Sequence, residues 1–318
     1  MKELSALFAI AFNELLKNEA KYEQRVQVAL LEALNLMRGE MQTIYDKYAV
    51  GGLLTVTEMA KYNRYAEMEK QMMGILDPIL KDNVLTIRTF LPEQYKEAFY
   101  RNAWALDNGL GVHLGINIIR KEVLTNLFSI TNVHNMYMRE ALQNYNLDGK
   151  KKIRQALMNG LSLGKSMPSM ARDLKQAVNI TYSKALGIIR TEGMGALNAG
   201  TNDAYMKSLD RGVDGKVTWS STKDLKTRPA TRTAKGNHRE MDGQVQDKDG
   251  LFHLHYTGET APYPGFAGLS AGQRINCRCV LRMEVDGISP TLMRTREQGV
   301  LPYMSYNKWF EKYHGDVK

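Results

Sequence analysis

The chain holds two cysteines, Cys277 and Cys279, one residue apart in the run Asn276-Cys277-Arg278-Cys279. Upstream stands His238-Arg239-Glu240-Met241-Asp242-Gly243, and His253 and His255 lie between the two runs. On a strand, residues i and i+2 face the same side, so both sulfurs reach one ion. Two thiolates, the His238 imidazole and a fourth donor (Asp242, His253 or His255) would surround Zn²⁺ tetrahedrally. Against this, C-x-C is not the usual C-x₂₋₄-C knuckle, and no second cysteine pair completes a zinc ribbon. The same thiols read equally well as two small buried hydrophobes on a core face. A structural cluster without metal is the expectation, Zn²⁺ at His238, Cys277 and Cys279 the alternative, and no other cofactor is implied. The pair makes no disulfide framework, and nothing points to an oxidising compartment.

Two catalytic readings compete less well. A nucleophilic pair of Cys277 or Cys279 with His238 or His255 lacks any sequence feature that would build an oxyanion hole. Glu192, Asp224, Asp242 and His238 would make a divalent-metal nuclease site, but in no established spacing.

A second chemistry is electrostatic. Residues 222–239 carry six bases, Lys223, Lys226, Arg228, Arg232, Lys235 and Arg239, against one acid, Asp224. Such a loop suits phosphate oxygens, since Lys and Arg pair with them and counterions are released. The plain alternative is a solvated basic loop. The whole chain has 43 Lys+Arg against 34 Asp+Glu, a net charge of +9, which moderately favours a polyanionic partner. No helix-turn-helix or zinc-finger spacing occurs, so no sequence-specific nucleic-acid binding is expected. Gly164-Lys165-Ser166 lacks the upstream glycine of a nucleotide-binding loop.

These residues need elements to hold them. At 318 residues the chain is long enough for about two domains. Its 43% hydrophobic and 24% charged residues exclude wholesale disorder and collagen-like repeats. No run of 18 apolar residues exists, which excludes a membrane-spanning helix. The N-terminus reads as an amphipathic helix start rather than a signal peptide.

Residues 1–149 read as helical. From Lys21 to Gln42, Val26, Val28, Ala29, Leu30, Ala33, Leu34, Leu36, Met37 and Met41 mark a broad apolar face. Gly51-Gly52 breaks the pattern, and Thr57-Glu58 opens a helix to about Leu80, interrupted at Asp77-Pro78. Pro92-Glu93 starts a third helix, which ends at Asp107–Gly111. A fourth spans roughly Val112 to Tyr145 and stops at Asp148-Gly149. Eighteen methionines suit adaptable core packing.

Residues 150–212 form a helical connector: Ile153–Gly160, a turn at Gly164–Pro168 capped by Ser166, then Pro168–Val178 and Thr181–Ser208. Gly193, Gly195, Ala196, Ala199 and Gly200 predict close approach of another backbone. Arg190 and Glu192 project about 200° apart on a helix, and are expected to fasten it to the Asn237-His238 region. Residues 213–286 read as a small α+β or β-rich module, with strands at Lys216–Ser220 (containing Trp219) and Val280–Val285. Residues 287–318 form an aromatic-rich tail, expected to dock on this chain or a neighbour. The fold class is therefore α+β, with a mainly helical N-terminal half.

Six motifs stand in order. They are Gly164-x-Ser166, Arg190-Thr191-Glu192, Trp219 with its Thr/Asp/Arg-rich loop, His238-Arg239-x-Met241-Asp242-Gly243, a Pro/Gly-Phe stretch (Pro262–Phe266), and Asn276-Cys277-Arg278-Cys279. This series resembles the phage head morphogenesis family, minor head proteins similar to the F protein of phage Mu, over roughly residues 150–285. Lys226 stands where the family pattern has an arginine, and Ala267–Arg274 is an extra segment. The resemblance implies a structural protein of a tailed-phage particle, present in few copies. It implies a place in the virion interior near the portal vertex, and in host cytoplasm during assembly. The implied partners are the portal protein and an inner capsid or scaffolding protein, toward which residues 1–149 would face, and packaged double-stranded DNA, met without sequence specificity, whose delivery it serves. Some relatives carry a toxin domain after the module, and none is expected in residues 287–318. The reading is not an enzyme; the alternative is a metal-dependent hydrolase or nuclease on His238, Asp242, Cys277 and Cys279.

Overall fold

A computed structural model of the chain describes residues 2–129, 135–221, 227–228, 236–285, 292–295, 299–302 and 311–312. Six helices come first: α1 (Lys2–Tyr48), α2 (Val56–Ala60), α3 (Arg64–Leu110), α4 (Lys121–Phe128), α5 (Met136–Ser162) and α6 (Met167–Asp210). Then follow β1 (Gly215–Ser220), β2 (Phe252–Leu254), β3 (Glu259–Ala261), α7 (Ala271–Arg274), β4 (Val280–Val285), β5 (Leu292–Thr295) and β6 (Gly299–Pro302). The class is α+β, as expected. The strands form three antiparallel pairs, β1 with β4, β2 with β3 and β5 with β6. In the first, Trp219 lies opposite Leu281 and Gly215 opposite Val285. No helix among the described residues is long and apolar enough to cross a membrane.

The chain folds into two compact units, neither continuous in sequence. One comprises Lys21–Thr89 and Met138–Ile189. The buried face of α1 is narrower than expected: Val26, Leu30, Ala33, Leu34, Met37 and Met41 are buried at helical spacing, whereas Val28 and Leu36 lie off that stripe and are exposed. Met68, Met72, Leu76 and Leu80 of α3 and Ile153 and Leu157 of α5 are buried in the same unit. The turn at Gly51 and Gly52, both at positive φ, is present. The next helix starts earlier than Thr57, because Thr55 caps it by accepting from the Glu58 N–H.

Several expected helix ends are not ends. Asp148-Gly149 lies inside α5, because the missing side chain at Gly149 is a packing requirement. A Cβ there would stand 3.1 Å from Leu80 and 3.2 Å from Thr181. Pro78 and Pro92 both lie inside α3. Proline costs about 3 kcal/mol in a helix interior, yet Leu76 and Leu80 flank the first and Phe90, Leu91 and Tyr95 the second, all buried. Burial of each such side chain contributes roughly 1.5–3 kcal/mol, which outweighs the local penalty. The two helices expected between 168 and 208 are one, α6, and Ile153–Gly160 is part of α5. Ser166 precedes α6 as expected, its carbonyl accepting from the Ser169 and Met170 N–H groups.

The other unit comprises Met1–Ala20, Phe90–Tyr137 and Arg190–Lys318. Leu7, Phe99, Ala103, Trp104, Ile116 and Ala204 build one part of its core, and Leu15, Ala98, Met194 and Leu197 another. The helix expected from Val112 does not form there. The Asp107 carboxylate accepts from the Leu114 N–H at 2.9 Å and pairs with His113 Nδ1 at 2.5 Å, which captures the chain in an extended path to α4. The small residues of α6 do admit another backbone: a Cβ on Gly200 would lie 2.2 Å from the Tyr95 carbonyl oxygen.

Gly200→Ala should therefore destabilise the protein by about 1–3 kcal/mol or more through overpacking against backbone. Gly187, on the same helix, has open space beside it, and Gly187→Ala should stabilise by up to about 1 kcal/mol. Urea denaturation midpoints of the two variants check this; equal shifts would contradict it.

Candidate functional site

Helix α6 presents Thr191, Gly195, Asn198 and Asn202 at helical spacing to the segments that follow it. The Asn276 N–H donates to Thr191 Oγ1 at 3.0 Å. Asn276 itself adopts φ 56°, a left-handed conformation that asparagine tolerates better than most residues. Gly195 sits against Gly265, whose carbonyl oxygen would lie 2.8 Å from a Cβ. Asn198 Nδ2 donates to the Pro264 and Cys279 carbonyls at 3.0 and 2.9 Å, and its Oδ1 accepts from the Leu281 N–H. Gln246 Nε2 donates to Asn202 Oδ1 at 2.9 Å.

Next to Thr191, the Glu192 carboxylate pairs with Arg274 at 2.6 Å, with side-chain exposures of 11% and 2%. Burial pushes the Glu192 carboxyl above its ordinary pKa, and the guanidinium opposes that rise. Glu192 thus fastens helix to module, but at Arg274 rather than in the expected Asn237-His238 region. The seam lies there because Arg274, and not a group of residues 237–238, supplies the buried cation that compensates the Glu192 carboxylate. Arg190 is exposed.

His238, Cys277 and Cys279 converge in the interior, at 1%, 3% and 2% exposure. His238 Nδ1 lies 3.5 Å from Cys277 Sγ and 3.4 Å from Cys279 Sγ. Its Nε2 meets Gln273 Oε1 at 2.8 Å, and Gln273 Nε2 donates to Thr257 Oγ1 at 3.2 Å. Gly236 makes room for that amide, since a Cβ there would lie 2.2 Å from Gln273 Oε1. Trp219, fully buried, stands edge-on to both His238 and Phe252, with ring centroids 5.5 and 5.4 Å away. The Cys277 thiol is held well below its ordinary pKa by the hydrogen bond from Cys279 and by His238, against the effect of burial. Cys279 is pushed up because a thiolate at Cys277 disfavours a second one beside it, and burial adds to this.

Among the described residues the cluster contains these three ligand residues and no fourth. The candidates for the fourth place are engaged elsewhere. Asp242 Oδ1 accepts from the Ser221 N–H and hydroxyl at 3.0 and 3.3 Å. His253 pairs with Asp247 at 2.6 Å, and His255 meets the Gln244 amide at 3.1 Å. Glu192 and Asp242 are thus both committed to structural partners, and the nuclease constellation is not assembled by them; Asp224 lies outside the described residues. Gln273 and Gly236 carried no sequence signal, since a glutamine on a four-residue helix reads as solvated.

Of the six candidate DNA-contacting residues, Arg228 and Arg239 are described. Arg228 donates to the Ile275 carbonyl, and Arg239 Nε donates to the Thr227 carbonyl at 3.1 Å while its side chain stays exposed. The Arg228 carbonyl in turn accepts from the His238 and Arg239 N–H groups. Lys223, Lys226, Arg232 and Lys235 lie outside the described residues, as does most of the aromatic tail.

Residues 151–282 match the family described as Phage Mu protein F like protein. Minor head protein GP7 of Bacillus phage SPP1 is 25% identical over 295 residues, covering 90% of this chain and 91% of that protein. NAD(+)--arginine ADP-ribosyltransferase EFV of Enterococcus faecalis (strain ATCC 700802 / V583) is 28% identical over 226 residues, 71% of this chain but 44% of that protein. Uncharacterized protein YqbB of Bacillus subtilis (strain 168) is 28% identical over 156 residues, 48% of each chain. This chain therefore spans less than half the length of two of these relatives and nearly all of the phage protein. No solved structure matches it. The resemblance to the Mu F-like minor head proteins is borne out over residues 151–282.

Removing one partner of a buried ion pair leaves the other uncompensated. Arg274→Met should cost about 3–5 kcal/mol. Adding Glu192→Gln to it should restore a large part of that loss, giving a coupling energy of at least about 1 kcal/mol in a double-mutant cycle. Additive single effects in urea denaturation would contradict the pairing.

Proposed function

We propose, from the premise that residues 151–282 are a Mu F-like region of the phage minor head protein family, that this chain is a structural component of a tailed-phage head. In this reading it sits inside the capsid near the portal vertex, after assembly in host cytoplasm, and serves head assembly, DNA delivery or both. The observation that carries it is the likeness to Minor head protein GP7, which runs through 90% of this chain and 91% of that one. Its partners are the portal protein and an inner capsid or scaffolding protein.

The third partner is packaged double-stranded DNA. The net charge of +9 and the bases of residues 222–239 favour phosphate contacts that neutralise charge without reading sequence. Arg239 supports this, because its exposed side chain flanks a loop end that the Thr227 and Arg228 carbonyls hold in place.

A metal-dependent hydrolase is the reading of another class. It finds little support, since Asp242 binds Ser221 and Glu192 binds Arg274. Transferase activity is named for the enterococcal relative, of which this chain matches less than half.

Titration of the full chain with duplex DNA of unrelated sequences tests the DNA contact. With about four phosphate contacts, affinity should fall on the order of a hundredfold between 50 and 200 mM salt, equally for every sequence. Arg239→Ala should reduce both affinity and salt slope. Absent binding at low salt, or binding indifferent to salt, would overturn the DNA part. Co-expression with the portal protein of the same phage should yield a complex, and separate elution of the two would overturn the portal part. Cleavage of the DNA that disappears in His238→Ala would favour the enzyme.

A further inference from the structure

We propose that His238, Cys277 and Cys279 form a zinc site that ties the chain around residue 238 to the start of β4. In a tetrahedral zinc centre with Zn–N near 2.0–2.1 Å and Zn–S near 2.3 Å, the N···S edge is about 3.5 Å. The two observed edges are 3.5 and 3.4 Å, both to the same ring nitrogen, Nδ1. One imidazole nitrogen has one lone pair and accepts one S–H well. Two sulfurs equally close to it are the arrangement that a shared cation satisfies.

The surroundings prepare the nitrogen for that task. Gln273 donates through Nε2 to Thr257 Oγ1, so its Oε1 faces His238 and accepts the Nε2–H at 2.8 Å. That bond places the ring proton on Nε2 and leaves Nδ1 bare, the outer-shell device that orients metal-bound histidines. Charge also balances. Two thiolates neutralise one divalent cation, so the centre adds no net charge to an interior walled by Trp219 and Phe252. Two sulfurs and an imidazole suit zinc, whereas magnesium and calcium take oxygen. A water molecule completes the tetrahedron.

The site does not rest on the head-protein reading, and its failure would leave that reading intact. The full chain, reduced and loaded with ZnCl₂ and then desalted, should retain one zinc per molecule by elemental analysis. Cobalt loading should give thiolate-to-metal charge-transfer absorption and the visible bands of a tetrahedral ion. Cys277→Ser and Cys279→Ser should lose the metal. Gln273→Ala, which keeps all three ligands, should weaken zinc about 10–100-fold in competition with a chelator. A wild-type chain that stays metal-free with both thiols reduced would overturn the site. So would zinc retained after both cysteines are replaced, or a cobalt spectrum without sulfur charge transfer. The wild-type cobalt spectrum decides the matter even if the serine variants fail to fold.

Discussion

The outer edge of β4 must borrow hydrogen-bond partners from a neighbour, and here the neighbour is one face of α6. β1 and β4 pair with each other, and the other edge of β1 is taken by residues 243–246: the Gly243 N–H donates to the Trp219 carbonyl, the Trp219 N–H to the Gln244 carbonyl and the Gln246 N–H to the Val217 carbonyl. A two-stranded ribbon is marginal in water without something to pack against. Asn198 supplies what the ribbon lacks. Its amide donates to the Cys279 and Pro264 carbonyls, and its oxygen accepts from Leu281. A buried amide with all of these contacts fixes register and position together, because any slip strands polar groups away from water. Thr191 and Asn202 extend the same seam in both directions along the helix.

The charged pair and the sulfur cluster hang from this seam. Glu192 meets Arg274 at the end of α7, and three residues later the chain reaches Cys277. A buried ion pair is weak evidence for stability, since desolvation offsets much of its attraction. Its effect here is positional: Arg274 can occupy one place only, and its carbonyl accepts from the Cys277 N–H at 2.9 Å. Gln273, one residue earlier, holds the His238 ring from the other side. A four-residue helix thus carries both the anchor to α6 and the brace of the imidazole.

Much of this was legible from residue types, and the rest was not for identifiable reasons. The strands at 215–220 and 280–285 were readable from alternation. The small residues of α6 foretold a close backbone, because glycine has little other reason to sit in a helix. His238 and both cysteines meet, as the constellation of residue types suggests, though Cys277 and Cys279 precede β4 rather than lying within it. The partner of Glu192 could not be read, since pairing across 82 positions leaves no local trace. Ala267–Arg274, which reads as an extra segment with no chemistry of its own, holds both Gln273 and Arg274. Helix ends misled where tertiary packing overrode local preference, at Gly149 under Leu80 and at Pro78 between buried leucines.

The match of residues 151–282 to the Mu F-like family now has a physical counterpart, since α6 and the module complete each other's hydrogen bonding. That dependence is open to native-state hydrogen exchange on the full chain at rising sub-denaturing urea. The account predicts that the Asn276 and Leu281 amides and those of residues 194–202 open in one cooperative event with a common urea dependence. Exchange of Leu281 through a separate, lower-energy opening, with the α6 amides still protected, would contradict it.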